Sequence, residues 1–237
     1  MSFNPYSPPT AALDPGVPSD SGGGFKSLTP IAKAITIVMA IDLGAELLSD
    51  WNTIYAMDLI GRINAGQPYD GSALTAIDVR SKAINVLGYA LRIASIVLFC
   101  FFMPRANRNA RWFRSPMWIT PGWAAGYFFI PVLSFWKPYQ AMKEIWRGSD
   151  PDPTVLPFTV RVPALLPLWW AFWLAHGVAG RVLEYLNKTT APEAFPTRAW
   201  VDLARSLLTI VAILLAIAVV RAVARRQDER YVRGPAP

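Results

Sequence analysis

Apolar residues recur along the chain in four stretches that are long enough to cross a membrane as helices. They lie at about residues 30–52, 83–104, 162–184 and 202–222. A bilayer core about 30 Å thick needs roughly 20 helical residues, which each stretch supplies. Residues 162–180 of the third stretch and 206–220 of the fourth carry no charge. The pattern therefore predicts an all-α, polytopic membrane helical bundle.

A further uncharged stretch, residues 117–136, is interrupted by Pro121 and Pro131 and is called the aromatic segment below. If it crossed the membrane, the chain would have five transmembrane helices and its termini would lie on opposite faces. With four spans, 15 of the 23 lysines and arginines lie on the face that holds both termini. Positive residues concentrate on the cytoplasmic side. We therefore expect four transmembrane helices, cytoplasmic termini and a proline-broken segment that is re-entrant or interfacial; five transmembrane helices is the alternative.

Composition agrees with a membrane protein, since 53% of the 237 residues are hydrophobic, ten are tryptophan and only 16% are charged. The net charge of +7 arises from basic residues that cluster beside the apolar stretches. Such clusters suit anionic lipid headgroups better than nucleic acid. We expect the lipid bilayer and its anionic headgroups as partners, with a second copy or another membrane protein as a further candidate, and no nucleic acid.

The two ends of the chain differ in composition from the part between them. Residues 1–27 are rich in Pro, Ser and Gly, which predicts a disordered tail. Residues 28–226 form the predicted membrane domain, and residues 227–237 are predicted to be a charged, disordered C-terminal tail. The expected location is a membrane that the chain crosses several times, with both termini on the cytoplasmic side.

Charged residues interrupt the first two apolar stretches at similar depths. Asp42 and Glu46 are four residues apart on the first, so they share a helix face. Arg92 lies roughly 18 Å from the end of the second, and the two carboxylates roughly 13 and 19 Å from the same end of the first. Two readings are open, a structural ion pair and a proton or ion pathway.

Motifs for catalysis, cofactor binding or metal binding are not recognisable in the sequence. Cys100 and His176 are single residues of their type, which argues against a cysteine or histidine metal site. Nothing resembles a nucleophile elbow, a phosphate-binding loop or a dinucleotide fingerprint. We expect no catalytic residue, no metal and no cofactor.

One pattern is specific enough to suggest a family. A basic, asparagine-containing stretch precedes an aromatic segment that Pro-Gly-Trp introduces, and an amphipathic stretch follows. The residues are Arg105, Arg108, Asn109, Pro121, Gly122, Trp123, Pro131, Trp136, Pro138, Tyr139, Glu144, Ile145 and Trp146, then Trp169, Trp170, Arg226, Gln227 and Glu229.

This pattern resembles a bacterial membrane family described as domain of unknown function 4328, over roughly residues 30–230. Ser134 stands where the family pattern has asparagine. The resemblance implies a polytopic bacterial membrane protein, and it carries no activity or cofactor over to this chain.

Two functional hypotheses from different classes follow. The first is a non-enzymatic interaction or structural module of the bacterial cytoplasmic membrane, acting through the aromatic segment. The alternative is a small transporter or proton- or ion-coupled channel that uses the intramembrane residues Asp42, Glu46 and Arg92.

Overall fold

The computed structural model describes residues 24–186, 188 and 195–234, which form six α-helices and three short 3₁₀ turns without any strand. The all-helical fold expected from the sequence is confirmed for these residues. The helices are α1 (Thr29–Asn64), α2 (Gly71–Trp112), α3 (Pro121–Gly126), α4 (Lys137–Gly148), α5 (Leu165–Leu186) and α6 (Phe195–Arg233). The 3₁₀ turns are Tyr127–Phe129, Leu133–Phe135 and Pro157–Thr159.

The four long helices, α1, α2, α5 and α6, form an antiparallel bundle. The main packed pairs are α1 with α2, α1 with α6, and α5 with α6, whereas α2 and α5 hardly touch. A short connection that includes Gly66, with φ of 69°, reverses the chain between α1 and α2. We call that end of the bundle the loop end. The opposite end, where α1 begins and α6 finishes, is the terminal end.

Two of the long helices, α2 and α6, are long and apolar enough to cross a membrane by length and composition. The sequence predicted four such helices. Helix α1 falls short because Asp42, Glu46 and Asp50 lie within it. Helix α5 falls short because three tryptophans, a proline and a histidine lower its mean hydropathy.

The aromatic segment is broken, as its prolines suggested. It contains α3, two 3₁₀ turns and irregular chain around Pro131, and six-residue α3 spans only about 9 Å, too short for a membrane span. The segment packs on α2. It also reaches α5, where the Trp170 Nε1 donates a hydrogen bond to the Phe135 carbonyl at 2.8 Å. It therefore bridges the gap between α2 and α5 in the terminal half of the bundle.

The largest apolar core lies in this terminal half. Phe102, Met142, Ile145, Trp169 and Val220 are among its fully or almost fully buried side chains. A smaller cluster of Ala56, Leu59 and Ile77 lies near the loop end. Polar residues occupy the region between the two clusters, which is where the candidate site lies.

The predicted C-terminal tail is part of a helix where the structure describes it. Residues 227–233 belong to α6, although the sequence predicted a disordered tail from residue 227. Gln227 is fully buried, and Tyr231 stacks on Phe25 with ring centroids 4.3 Å apart. The high charge of this stretch led to the prediction of disorder, although one face of the helix packs on the rest of the bundle. The predicted tail over residues 1–23, and residues 235–237, lie outside the described residues.

Candidate functional site

A buried carboxylate of α1 joins three helices at the middle of the bundle. Glu46 is only 4% exposed. Its Oε1 lies 2.7 Å from the Arg92 Nη2 of α2, and its Oε2 lies 3.3 Å from the Arg205 Nη2 of α6. The structure thus brings Glu46 and Arg92 together, as equal depth on the two predicted spans suggested. Both carboxylate oxygens of Glu46 are engaged by arginine.

Arg205 is the member of this cluster that the sequence analysis missed. Its guanidinium also lies 3.0 Å from the Asp202 Oδ1 on the same helix, and it is more enclosed than that of Arg92, with 14% against 46% of the side chain exposed. The only available signal was an arginine at the edge of the uncharged run of α6. The position of Arg205 in the sequence does not indicate which helix it contacts, because the neighbours of α6 depend on how the bundle folds.

Asp42 lies one turn before Glu46 and differs from it in its surroundings. Asp42 is 6% exposed. Within the described ranges it has neither a hydrogen bond nor an ion pair, and its Oδ1 is fully buried. Asp50, two turns further along α1, by contrast accepts a hydrogen bond of 2.8 Å from the Ser206 hydroxyl. Of the three sequence-predicted charges, the structure therefore joins Glu46 and Arg92 and leaves Asp42 unpaired.

These residues line a cavity of about 500 Å³, called the central cavity below. It lies where α2 and α5 diverge, on the loop-end side of the aromatic segment. Glycines on both helices leave room for it, since a side chain at Gly88, Gly177 or Gly180 would meet no atom within 4 Å. The charged residues that line it, together with the single histidine, are Asp42, Glu46, Arg92, His176, Glu184, Asp202 and Arg205.

Residues of α5 connect the central cavity to the aromatic segment through a series of contacts. The His176 Nδ1 lies 2.7 Å from the Trp173 carbonyl oxygen. The Trp173 ring stacks on Trp170 at 4.9 Å, and Phe128 of the aromatic segment packs edge-on against both tryptophans. A continuous set of ring contacts therefore separates the cavity from the terminal end.

A second polar region, called the terminal junction, lies at the terminal end and is centred on Gln227. The Gln227 Nε2 donates to the Ala106 carbonyl and to the Ser149 hydroxyl, both at 2.8 Å. Its Oε1 accepts from the Asn109 Nδ2 at 2.7 Å, and that same nitrogen donates to the Lys26 carbonyl at 2.9 Å. One amide pair thus ties α2, α6, the residue after α4 and the chain before α1 together.

The terminal junction continues into the start of the aromatic segment through Ile119. Glu144 of α4 accepts a hydrogen bond of 3.0 Å from the Ile119 backbone N–H. Asn107 and Arg111 of α2 donate to the Ile119 carbonyl at 2.9 and 3.0 Å. Helix α4 approaches α2 so closely that a side chain at Gly148 would lie 3.1 Å from the Ala110 Cβ. The entry of the segment is therefore fixed between two helices.

The remaining signature residues divide between helix boundaries and the surface. Pro121 and Pro138 lie in the first turns of α3 and α4, where a missing N–H costs no hydrogen bond. Trp146 is buried beneath the Arg226 guanidinium, which lies 4.3 Å from its ring. Tyr139 packs below Lys143. The exposed members are Arg108, Gly122, Trp123, Pro131 and Trp136, whereas Arg105 is partly exposed.

Residues 66–225 match the family model described as Domain of unknown function (DUF4328). The chain belongs to this family. The matched range of the DUF4328 chain covers α2 to most of α6, and so includes the aromatic segment, Arg92 and Arg205. It ends just before Gln227, and α1 with Asp42 and Glu46 precedes it. No curated protein and no solved structure matches the chain.

The two polar regions differ in whether their polar atoms are engaged within the chain. Among the described residues, no group of three histidine, cysteine or carboxylate side chains is placed to hold a metal ion. The terminal junction has its polar atoms satisfied by one another. The central cavity combines an engaged carboxylate, Glu46, with an unengaged one, Asp42, beside open space.

Proposed function

We propose that this DUF4328 protein crosses the bacterial cytoplasmic membrane with all four long helices. The support comes from the outer faces of α1 and α5, the two helices whose composition does not by itself indicate a membrane span. Many large apolar side chains are exposed on these two helices, which is unusual in a soluble protein and favourable in contact with lipid. Their exposed apolar side chains include Ile37, Ile41, Leu47, Leu48 and Ile54 on α1, and Leu168, Val178 and Val182 on α5.

Near the middle of the bundle, the same two helices turn polar side chains inward, so their average composition underestimates how well they suit a bilayer. Asp42 and Glu46 are buried, and His176 lies on the cavity wall. Polar residues inside a membrane bundle generally face its interior or a watery cavity. Four membrane spans are therefore compatible with two helices that hydropathy averaged along the sequence does not identify as spans.

The proposed orientation places the terminal end in the cytoplasm. Basic residues gather there, which the positive-inside rule associates with the cytoplasmic face. They include Lys26, Arg105, Arg108, Arg114, Lys137, Lys143, Arg221 and Arg225. The loop end, with Gln67 in the α1–α2 connection, then lies outside.

We propose that the protein acts without catalysis, as a structural and interaction module whose aromatic segment lies at the cytoplasmic membrane interface. One observation carries this proposal: the polar groups at the start of the segment bind other parts of the chain, whereas its exposed side chains apart from Thr120 are aromatic or apolar. Trp118 is 91% exposed, and Trp123, Phe129 and Phe135 are exposed as well. Lys137 and Lys143 follow, suited to anionic headgroups. Tryptophan is enriched at this depth.

Cysteine labelling from each side of the membrane tests the topology. In a Cys100→Ala background, we expect Thr154→Cys to be labelled from the cytoplasmic side and Gln67→Cys from the external side. Both positions are exposed. Labelling of both from one face would contradict the four-span arrangement.

Spin-label depth measurements test the placement of the aromatic segment. A label at Trp118→Cys should report headgroup depth, and a label at Val97→Cys on the exposed face of α2 should report the hydrocarbon core. The ratio of oxygen to nickel-complex accessibility in nanodiscs measures the depth. A fully aqueous label at position 118 would show that the segment stands away from the membrane.

A small transporter is the second candidate function, and the central cavity is the observation that favours it. The cavity holds charge within the bundle, but the apolar core of the terminal half fills the bundle beyond it. Transport would therefore require the Phe128, Trp170 and Trp173 contacts to open. Ion or solute flux into liposomes that Asp42→Asn abolishes would support this candidate, and flux that persists in that variant would count against it.

A further inference from the structure

We infer that the central cavity is a binding site for a small organic cation that carries a primary ammonium group, which the unpaired carboxylate of Asp42 holds. The transporter candidate depends on the central cavity, and this inference specifies the class of ligand that the cavity would bind. It concerns binding, and so it stands whether or not the bound molecule is carried across the membrane.

The charge on the cavity wall favours a cation. Four carboxylates and two guanidinium groups line it, which leaves a formal excess of two negative charges when His176 is neutral. Glu46 is engaged by both arginines, and Asp202 by Arg205. The unbalanced charge therefore resides at Asp42 and at Glu184, on opposite helices α1 and α5.

Asp42 is placed to accept hydrogen bonds from a ligand. It is more than nine-tenths buried, lines the cavity and has no partner within the part of the chain that the structure describes. A buried carboxylate without a partner is costly, so such a group calls for a donor from outside the chain. An ammonium supplies three N–H donors together with the compensating charge.

The size of the cavity favours an organic cation over a bare ion. A volume of about 500 Å³ falls within the range of small-molecule pockets, and one water fills only about 30 Å³. The carboxylates are not grouped as a metal-ion site among the described residues. Gly88, Gly177 and Gly180 provide smooth wall on both sides, against which the carbon chain of a ligand can lie.

Binding to the full-length protein, reconstituted in nanodiscs of zwitterionic lipid, tests the inference. The probe is protonated putrescine, whose two ammonium groups match the excess charge, with 1,4-butanediol as a neutral analogue of equal length and succinate as an anion. Titration calorimetry with empty nanodiscs as reference should show saturable binding of putrescine alone. Zwitterionic lipid avoids attraction of the probe to the bilayer surface.

The decisive comparison is between two carboxylates of α1. Asp42→Asn should weaken putrescine binding by at least about tenfold, because a charge-assisted hydrogen bond is lost. Asp58→Asn is the matched control and should leave binding unchanged, since Asp58 lies outside the cavity wall in an exposed pair with Arg62. Size-exclusion chromatography of each variant verifies that it remains folded.

Several outcomes would overturn the inference: no putrescine binding to the folded protein, equal binding by Asp42→Asn, binding of succinate in place of putrescine, or complete displacement of putrescine by equimolar K⁺. Binding without flux would overturn the transporter candidate and leave this site standing. Flux of another solute without putrescine binding would overturn the ligand class and leave the transporter candidate standing.

Discussion

The terminal junction and the central cavity are both polar regions in an apolar bundle, yet their hydrogen bonding differs. At the terminal junction, Gln227 and Asn109 use their amides fully on neighbouring groups. At the central cavity, Glu46 is engaged by two arginines whereas Asp42, one turn away, has no partner in the described structure. The first region closes on itself and the second remains open beside a cavity.

The difference separates residues that specify the fold from residues that are available for binding. A fully satisfied buried network fixes how the helices pack, because any other arrangement leaves buried polar groups without hydrogen-bond partners. An unsatisfied buried carboxylate lowers stability and persists where something else depends on it. The polar signature residues Asn109, Glu144 and Gln227 belong to the first kind, so the recognisable pattern reports mainly on architecture. The candidate chemistry lies elsewhere.

The largest effect is expected from Gln227→Leu, which would break the terminal junction. The substitution removes one hydrogen bond each from the Ala106 carbonyl, the Ser149 hydroxyl and the Asn109 Nδ2, at about 1–1.5 kcal/mol each, although Asn109 keeps the Lys26 carbonyl and Ser149 the Ile145 carbonyl. We expect the free energy of unfolding to fall by about 4 kcal/mol. Thermal denaturation of the protein in detergent measures the loss.

Gln140→Leu on α4 is the control for this variant. Its side chain is partly exposed and forms no hydrogen bond within the described residues, so we expect a change of about 0.5 kcal/mol or less. Equal effects of the two substitutions would mean that the amide network does not specify the terminal end.

A smaller effect is expected at the cavity, where the two arginines that bind Glu46 differ in burial. Arg205→Met removes one of the two partners of buried Glu46 and the ion-pair partner of partly buried Asp202, and should cost about 3 kcal/mol. Arg92→Met should cost only about 1 kcal/mol or less, since the Arg92 side chain is half-exposed. Denaturation of both variants under one condition compares them. A larger loss for Arg92→Met would make the α1–α2 pair the principal structural link.

How much of the fold the sequence predicted depended on how each helix presents its apolar residues. The uncharged runs at residues 162–180 and 206–220 predicted the helices α5 and α6, since such runs need no knowledge of neighbours. Helices α1 and α2 extend to Asn64 and from Gly71, further than their apolar cores, because they continue beyond the apolar stretch as amphipathic helices. Residues 227–233 were mistaken for a tail for the same reason.

The site was partly predictable because helix spacing fixes depth but not neighbours. Equal depth placed Glu46 beside Arg92 correctly. It could not distinguish Glu46 from Asp42 as the partner, since both share one face of α1. It could not bring in Arg205 either, because the contact between α1 and α6 depends on the packing of the whole bundle.

The smallest effect, opposite in sign, is expected from Asp42→Asn. The variant keeps the size of the side chain and removes a buried charge that has no donor and lies one turn from Glu46. An amide is less costly to bury than a carboxylate, so we expect the free energy of unfolding to rise by about 1 kcal/mol in the absence of ligand. Denaturation without putrescine measures the effect of the substitution on stability. Denaturation with putrescine measures stabilisation by the ligand, which should occur in the natural protein and not in the variant. A loss of stability in Asp42→Asn would show that Asp42 is bound by the arginines in solution, and the cavity would then be as self-contained as the terminal junction.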